Sequence, residues 1–321
     1  MKLALAALCA TLAVWAAPVL AGLTEDRAAL NQLQSEDLRL QSVGWRLATA
    51  NARFCADARP AIGLLLQDIA NYADPARMRA AAGISGEIAV EAVVPDSPAA
   101  RVGLAPNDMI VAIDGTPTAA LPAAEPGDWR RLKGLHDAID AALARDGAVG
   151  IAWRGADGVA HNEAIEGVPA CPSRFELLDS GGKAAADGNR VVVGRKFAGF
   201  GYAEDELAAA LAHELAHNLL HHQAWLSRVG RRSGNVRLSE HEADRLMPWL
   251  LANAGYDPAA AERFFTRWGP RHDLAILRAS SHEGWKKRAA AVAAELPLVR
   301  AAIADTGAAD WATRFRRDTA R

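Results

Sequence analysis

The stretch His213-Glu214-Leu215-Ala216-His217 carries residue types at a spacing suited to metal chemistry. Positions four apart on a helix differ by about 40° in azimuth, so His213 and His217 project side by side and can grip one ion. Glu214, one step round, is placed to reach a water held by that ion. That is the position of a general base in metal-assisted hydrolysis. A hydrolytic zinc takes three protein ligands and keeps one position open. The missing ligand is offered by Ser239-Glu240-His241-Glu242-Ala243-Asp244-Arg245. Glu240 and Asp244 are again four apart and share a helical face, whereas Glu242 lies about 200° from Glu240 and points elsewhere. Glu240 is therefore assigned as third ligand, and Asp244 as acceptor for the free ring N–H of a ligand histidine, His213, fixing its tautomer. One Zn2+ per chain is implied. The alternative is a chance match on an amphipathic helix followed by a salt-bridged surface helix. Finding both segments in order, on helical patterns, argues against it.

The elements that must hold these residues are legible around them. A helix is expected from about Glu204 to Arg228, with Glu204, Asp205 and Glu206 at its dipole-positive end and Arg228 and Gly230 at its close. His221, one turn beyond His217, reads as a structural histidine. Ser239 and Glu242 form a capping box for the returning helix, and Pro248 should kink or shorten it. Ala254-Gly255-Tyr256-Asp257-Pro258 ends it, and an amphipathic helix follows over Ala259 to Trp268. Upstream, Gly181-Gly182 and Asp187-Gly188 flank a turn-rich segment before the β-branched run Arg190-Val191-Val192-Val193-Gly194. That strand is a natural edge for an extended substrate, or an edge of structural use alone.

The chain has 321 residues, 51% hydrophobic and 23% charged, enough for two domains with cores. A formal net charge of −2 and the lack of a basic stripe interleaved with aromatics exclude a nucleic-acid footprint. The densest basic patch, Arg228 to Arg237, reads as a solvated turn or as a contact for acidic substrate groups. Lys2 followed by the uncharged run Leu3 to Ala21 reads as a secretory signal cleaved near Gly22. An uncleaved anchor is the alternative, since the run approaches spanning length; Pro18 and the small residues near Ala21 favour cleavage. No second apolar span follows, so no transmembrane span is expected in the mature chain. Cleavage leaves Cys55 and Cys171, and an even pair in an oxidising compartment predicts a disulfide, with two buried thiols as the alternative. Apolar residues from Leu30 to Ile69 recur at three- and four-residue steps, which predicts two helices broken near Arg59-Pro60.

From Ala82 the pattern turns to short β-rich runs. Glu87 to Val94, then Ser97-Pro98-Ala99 running to Gly103-Leu104, then Asp108-Met109-Ile110 to Asp114-Gly115 resemble a PDZ domain of the bacterial type. The resemblance continues through a helix near Arg131 to Arg145 and strands near Ala148 to Arg154 and Val159 to Ile165. Pro117 to Trp129 looks like an insertion, and the loop Ala82 to Gly86 does not clearly mark a carboxylate-binding site. Such folds bind a peptide by adding it as a strand to a sheet edge; the alternative is a PDZ fold kept as a spacer or lid.

The site region resembles the zinc metalloendopeptidases that include the HtpX-type membrane proteases, the CAAX prenyl proteases and the periplasmic BepA-like proteases. The matching residues are Leu211 to His217, Glu240 to Arg245 and Ala254 to Pro258, and the resemblance covers about 180–295. It implies that Glu240 is the third zinc ligand. It also matches a Ser/Thr-His-Pro motif with a following arginine to Ser281-His282-Glu283 and Arg288, with Glu283 where the family has proline. By that resemblance His282 is a catalytic candidate, donating to the oxyanion of the attacked carbonyl or filling the open metal position at rest, and Arg288 orders nearby carboxylates.

These readings combine into an α+β chain. A signal peptide (1–21) and an N-terminal helical segment packing on the protease domain (22–80) precede a PDZ-like, β-rich domain (81–168). A mostly helical, gluzincin-type zinc metalloprotease domain with a small edge sheet (169–321) follows. The expected function is a periplasmic zinc endopeptidase acting on polypeptide substrates, with a peptide as further ligand of the PDZ-like domain and envelope protein quality control as its setting. The competing function is a PDZ-based binding or chaperone-like factor whose metal site is silent or held shut.

Overall fold

The computed structural model describes residues 13–276 and 284–319, with side chains for 22–270 and 284–319. The fold is mixed α+β. Two compact units divide the chain: residues 1–38 with 62–167, and residues 39–61 with 168–321. No helix among the described residues is long and apolar enough to cross a membrane.

In chain order, helix α1 (Ala13–Asn51) precedes strands β1 (Arg59–Ala61) and β2 (Leu64–Asp68), helix α2 (Pro75–Ala82), strand β3 (Ile88–Val93) and the short helix α3 (Pro98–Arg101). Strands β4 (Met109–Ile113) and β5 (Thr116–Pro117), helix α4 (Arg130–Asp146) and strands β6 (Ala148–Arg154) and β7 (Ala160–Glu166) follow. The first unit is built on an antiparallel sheet in the order β2-β3-β4-β6-β7, with β5 added beside β4. Helix α4 covers it by burying Leu135, Ile139 and Leu143, positions four apart on one face. Their partners include Val90, Ile110, Ile151 and Trp153. Burial of this face excludes water from one side of the sheet and is the main source of the unit's stability.

One expectation fails here. The second N-terminal helix does not form: Leu64–Asp68 is a strand paired with β3, so the helical segment expected over 22–80 ends at Asn51. Leu64, Leu65 and Leu66 are all buried. A continuous apolar run with both faces covered carries no period that separates strand from helix. The first unit accordingly takes in Ile62–Gly167 together with the residues up to Leu38, a wider span than the β-rich stretch expected over 81–168.

The second unit continues with strands β8 (Val168–Ala170), β9 (Arg174–Leu178), β10 (Ala184–Ala186) and β11 (Arg190–Gly194). Helices α5 (Glu204–Leu219), α6 (His222–Val229), α7 (Ser233–Asn253), α8 (Ala260–Ile276), α9 (Trp285–Thr306) and α10 (Trp311–Arg314) complete it. Its sheet has the order β10-β11-β9, with β11 parallel to β9 and antiparallel to β10, and β1 pairs with β8 apart from it. The core joins α1 residues Leu40, Val43 and Leu47 to Phe175, Val191 and Val193 of the sheet and to Leu211, Leu215, Leu246 and Leu250 of the bundle. The predicted disulfide is present between Cys55 and Cys171, closing a loop of 116 residues. Chain entropy puts its stabilisation at no more than about 4–5 kcal/mol.

Two further expectations are corrected. The helix expected to run to Arg228 breaks at His221, whose φ of 53° is left-handed, and restarts as α6. The returning helix starts at Ser233, not at a Ser239 capping box, and runs through Pro248 to Asn253 without being cut short. Ser239 instead donates to the carbonyl of Val236 at 2.8 Å.

Candidate metal centre

Helix α5 is alanine-rich where it meets its neighbours, with Ala208 to Ala212 buried. Small side chains let α7, α8 and β10 approach it. Its start is stabilised by the acidic first turn and by the Ala203 amide donating to Glu206 Oε2 at 3.4 Å. At its other end the buried Asn218 donates to Ser173 Oγ at 2.9 Å and to the Arg190 carbonyl at 3.1 Å, and accepts from the Gly188 amide at 2.8 Å. Gly188 has a φ of +105°, a backbone conformation open to glycine. These bonds tie the helix to the sheet.

His213 and His217 point to one place, their Nε2 atoms 3.2 Å apart. Glu240, on α7, sets Oε2 at 3.5 Å from His213 Nε2 and Oε1 at 3.5 Å from His217 Nε2. Ligands at about 2.0–2.1 Å around a tetrahedral zinc stand about 3.3 Å from one another, so the three groups are spaced as zinc ligands require. Their side chains are 11%, 15% and 20% exposed, which leaves an approach from solvent. Two imidazoles and a carboxylate are a donor set for zinc or a similar borderline cation.

The surroundings fix these groups. His213 Nδ1 lies 2.9 Å from Asp244 Oδ1, and Arg288, from α9, holds both Asp244 oxygens at 2.7 Å through Nε and Nη2. Burial opposes charge on His213, but the Asp244 and Glu240 carboxylates outweigh it and raise its pKa to about 10. Burial lowers that of His217 to about 3, with the neighbouring His213 and His222 adding to the effect. Glu240 and Asp244 are both held below the usual carboxylate range despite burial, Glu240 chiefly by His213 and Asp244 chiefly by Arg288.

Glu214 is pushed up to about 7, first by burial and then by the Glu240 charge, while His213, Arg288 and the Ala186 amide oppose the rise. A carboxyl group poised near neutrality can both take and return a proton. It faces a cleft of about 580 Å³ that has β10 along one side, with Phe264, Phe265 and Trp268 of α8 among its walls. The Lys183 carbonyl and the Asp187 amide pair with β11, so by strand alternation Ala184 and Ala186 turn their backbone groups away from it. The sheet edge beside the site is therefore β10. The strand expected in that role, Arg190–Gly194, is the central one.

His222, left without a role in the sequence analysis, and Glu242, expected there to cap a helix, lie against these groups. His222 is 1% exposed and places Nδ1 2.8 Å from His217 Nδ1. Its Nε2 lies 2.9 Å from Glu242 Oε2. His221, the neighbour that had the right helical spacing, caps the break instead. His282 lies outside the described residues, as do Ser281 and Glu283.

In the first unit, β2 is the sheet edge beside α4, and it is partly occupied by the unit's own side chains. The Leu66 amide donates to His136 Nε2 at 3.4 Å, and Arg131 binds both oxygens of Asp68 at 2.7 and 2.6 Å. No curated protein and no solved structure matches the chain. Residues 89–132, from β3 into the first turn of α4, match the family model described as PDZ domain, and the first unit therefore contains a PDZ domain.

Proposed function

We propose that the chain is an exported, periplasmic zinc endopeptidase that hydrolyses peptide bonds in polypeptide substrates, akin to the metalloendopeptidases its site region resembles, in envelope protein quality control. The observation that carries this reading is the convergence of His213, His217 and Glu240 at zinc-ligand spacing with Glu214 beside them. A zinc ion there supplies Lewis acidity, lowering the pKa of water and polarising a carbonyl.

The chain's own residues supply the rest. An extended substrate pairs with the outward backbone groups of Ala184 in β10, which aligns its scissile bond across the cleft. Glu214 takes the proton of the attacking water and delivers it to the departing amine. Asp244, held by Arg288, favours the proton on His213 Nδ1, so the proton that a metal ion would displace is the one on Nε2, the atom facing the site. Chelation of the purified protein should abolish cleavage of an unfolded protein, and stoichiometric zinc should restore it. Undiminished cleavage in chelator would remove the metal from the account.

A second reading, favoured by the PDZ domain at residues 89–132, is a peptide-binding or chaperone-like factor with a silent metal site. It predicts that the zinc-loaded protein cleaves nothing across varied substrates and that Glu214→Gln retains function in cells.

A further inference from the structure

We propose that His222 is a positioning residue for His217, and that the C-terminal segment Arg317 to Thr319 completes the metal centre by holding the carboxylate that holds His222. This rests on the reading of His213, His217 and Glu240 as metal ligands. Glu242 is 0% exposed, and donors surround it. Its Oε1 accepts from the Thr319 amide at 2.6 Å and the Thr319 hydroxyl at 3.0 Å. Its Oε2 accepts from Arg317 Nη2 at 3.1 Å and Arg317 Nε at 3.3 Å, and shares the one Thr319 hydroxyl proton with Oε1 at 3.0 Å.

An ionised carboxylate only accepts, so the contact of 2.9 Å between Glu242 Oε2 and His222 Nε2 requires His222 to carry its proton on Nε2. The Nδ1 of a neutral His222 is then a lone pair. It stands 2.8 Å from His217 Nδ1, and two lone pairs do not meet at that distance, so His217 carries its proton on Nδ1. The lone pair of His217 is thereby left on Nε2, the atom that faces His213 and Glu240. A carboxylate thus stands behind each ligand histidine: Asp244 lies 2.9 Å from His213 Nδ1, and Glu242 acts on His217 through one intervening ring. Each carboxylate is in turn held by an arginine, Arg288 on α9 for Asp244 and Arg317 in the tail for Glu242. Arg317 also donates to the Leu220 carbonyl at 2.9 Å, so the tail holds the break that aims His222.

The test compares His222→Phe, which keeps a ring but has no acceptor, with His222→Gln, whose amide oxygen can accept, and with the full-length double variant Arg317→Ala/Thr319→Pro. Two quantities are read: zinc affinity by chelator competition, and the His217 tautomer in the zinc-free protein by long-range proton–nitrogen NMR. His222→Phe is expected to lose about 10- to 100-fold in zinc affinity and to shift the His217 proton towards Nε2. His222→Gln should recover most of both, and the tail variant should move both in the same direction as His222→Phe. Parent-like affinity with an unchanged His217 tautomer in His222→Phe overturns the proposal. Should that variant not fold, the same two results in the tail variant overturn it. A parent protein that binds no zinc would sink the metal-ligand reading, and the zinc-free tautomer would still decide the relay.

Discussion

Asp244 touches His213 on one side and Arg288 on the other, at 2.9 and 2.7 Å, and is 1% exposed. Asp244→Asn removes its charge and presents an amide that can face either neighbour wrongly. It should weaken zinc binding about 10- to 100-fold in chelator competition while leaving all three ligands in place. Unchanged affinity would remove Asp244 from the centre. His213 and His217, and likewise Glu240 and Asp244, could be paired from the sequence because a spacing of four on a helix is a statement about one face, and Glu214 followed from its place one step round from His213. His222 could not be so placed. In an unbroken helix it would lie about 140° from His217, and only the left-handed turn at His221 brings the two rings together. Glu242 does point away from Glu240, as its phase demands, but it points at His222.

The PDZ-containing unit carries a titratable residue of a different kind. Glu91 is 5% exposed, and burial, together with the Asp37 carboxylate beside it, raises its pKa well above the usual range. A raised carboxyl pKa in the folded state means that the folded protein holds the proton more tightly. The stability from this group is therefore fully present below the ordinary carboxylate range and is lost as pH rises through the raised value. Glu91→Gln keeps the shape of the protonated form. It should raise the melting temperature at pH 7, by the equivalent of about 1–3 kcal/mol, with little effect near pH 4. A variant less stable than the parent at both pH values would contradict this.

At the scale of elements, the strand beside the site is short and incompletely paired. Ala184→Pro removes one outward N–H of β10 without touching the β10–β11 ladder. If substrates add to this edge, KM should rise about 3- to 10-fold, the worth of one backbone hydrogen bond, with kcat nearly unchanged. An unaltered KM would place the substrate elsewhere. β11 was legible as a strand from its β-branched run. Its position in the middle was not, because the partner β10 is Ala184-Ala185-Ala186, a triplet with no strand signal of its own. β2 was missed for the opposite reason. Its leucines are strongly apolar, and their pairing with β3 overrides a spacing that suits a helix equally well.

At the scale of the molecule, the chain combines a unit that contains a PDZ domain with a mostly helical unit whose candidate metal ligands are drawn from two helices, α5 and α7. The change from helical to β-rich patterning near Ala82 marked the PDZ-containing stretch, but not that residues 22–38 and 62–80 group with it. The boundary at Ile62 was hidden inside an apolar run. The tail that reaches Glu242 through Arg317 and Thr319 was beyond sequence reading, since nothing local marks a contact spanning 75 or 77 residues. In the proposed function, Glu214 moves the proton in peptide-bond hydrolysis at a zinc held by His213, His217 and Glu240. The most direct measurement is the rate at which zinc-loaded protein cleaves an unfolded protein substrate, compared between the parent and Glu214→Gln at equal zinc occupancy. Steady cleavage by the parent and a loss of at least about 100-fold in the variant are expected. Equal rates, or no cleavage by the zinc-loaded parent, would contradict the proposed function.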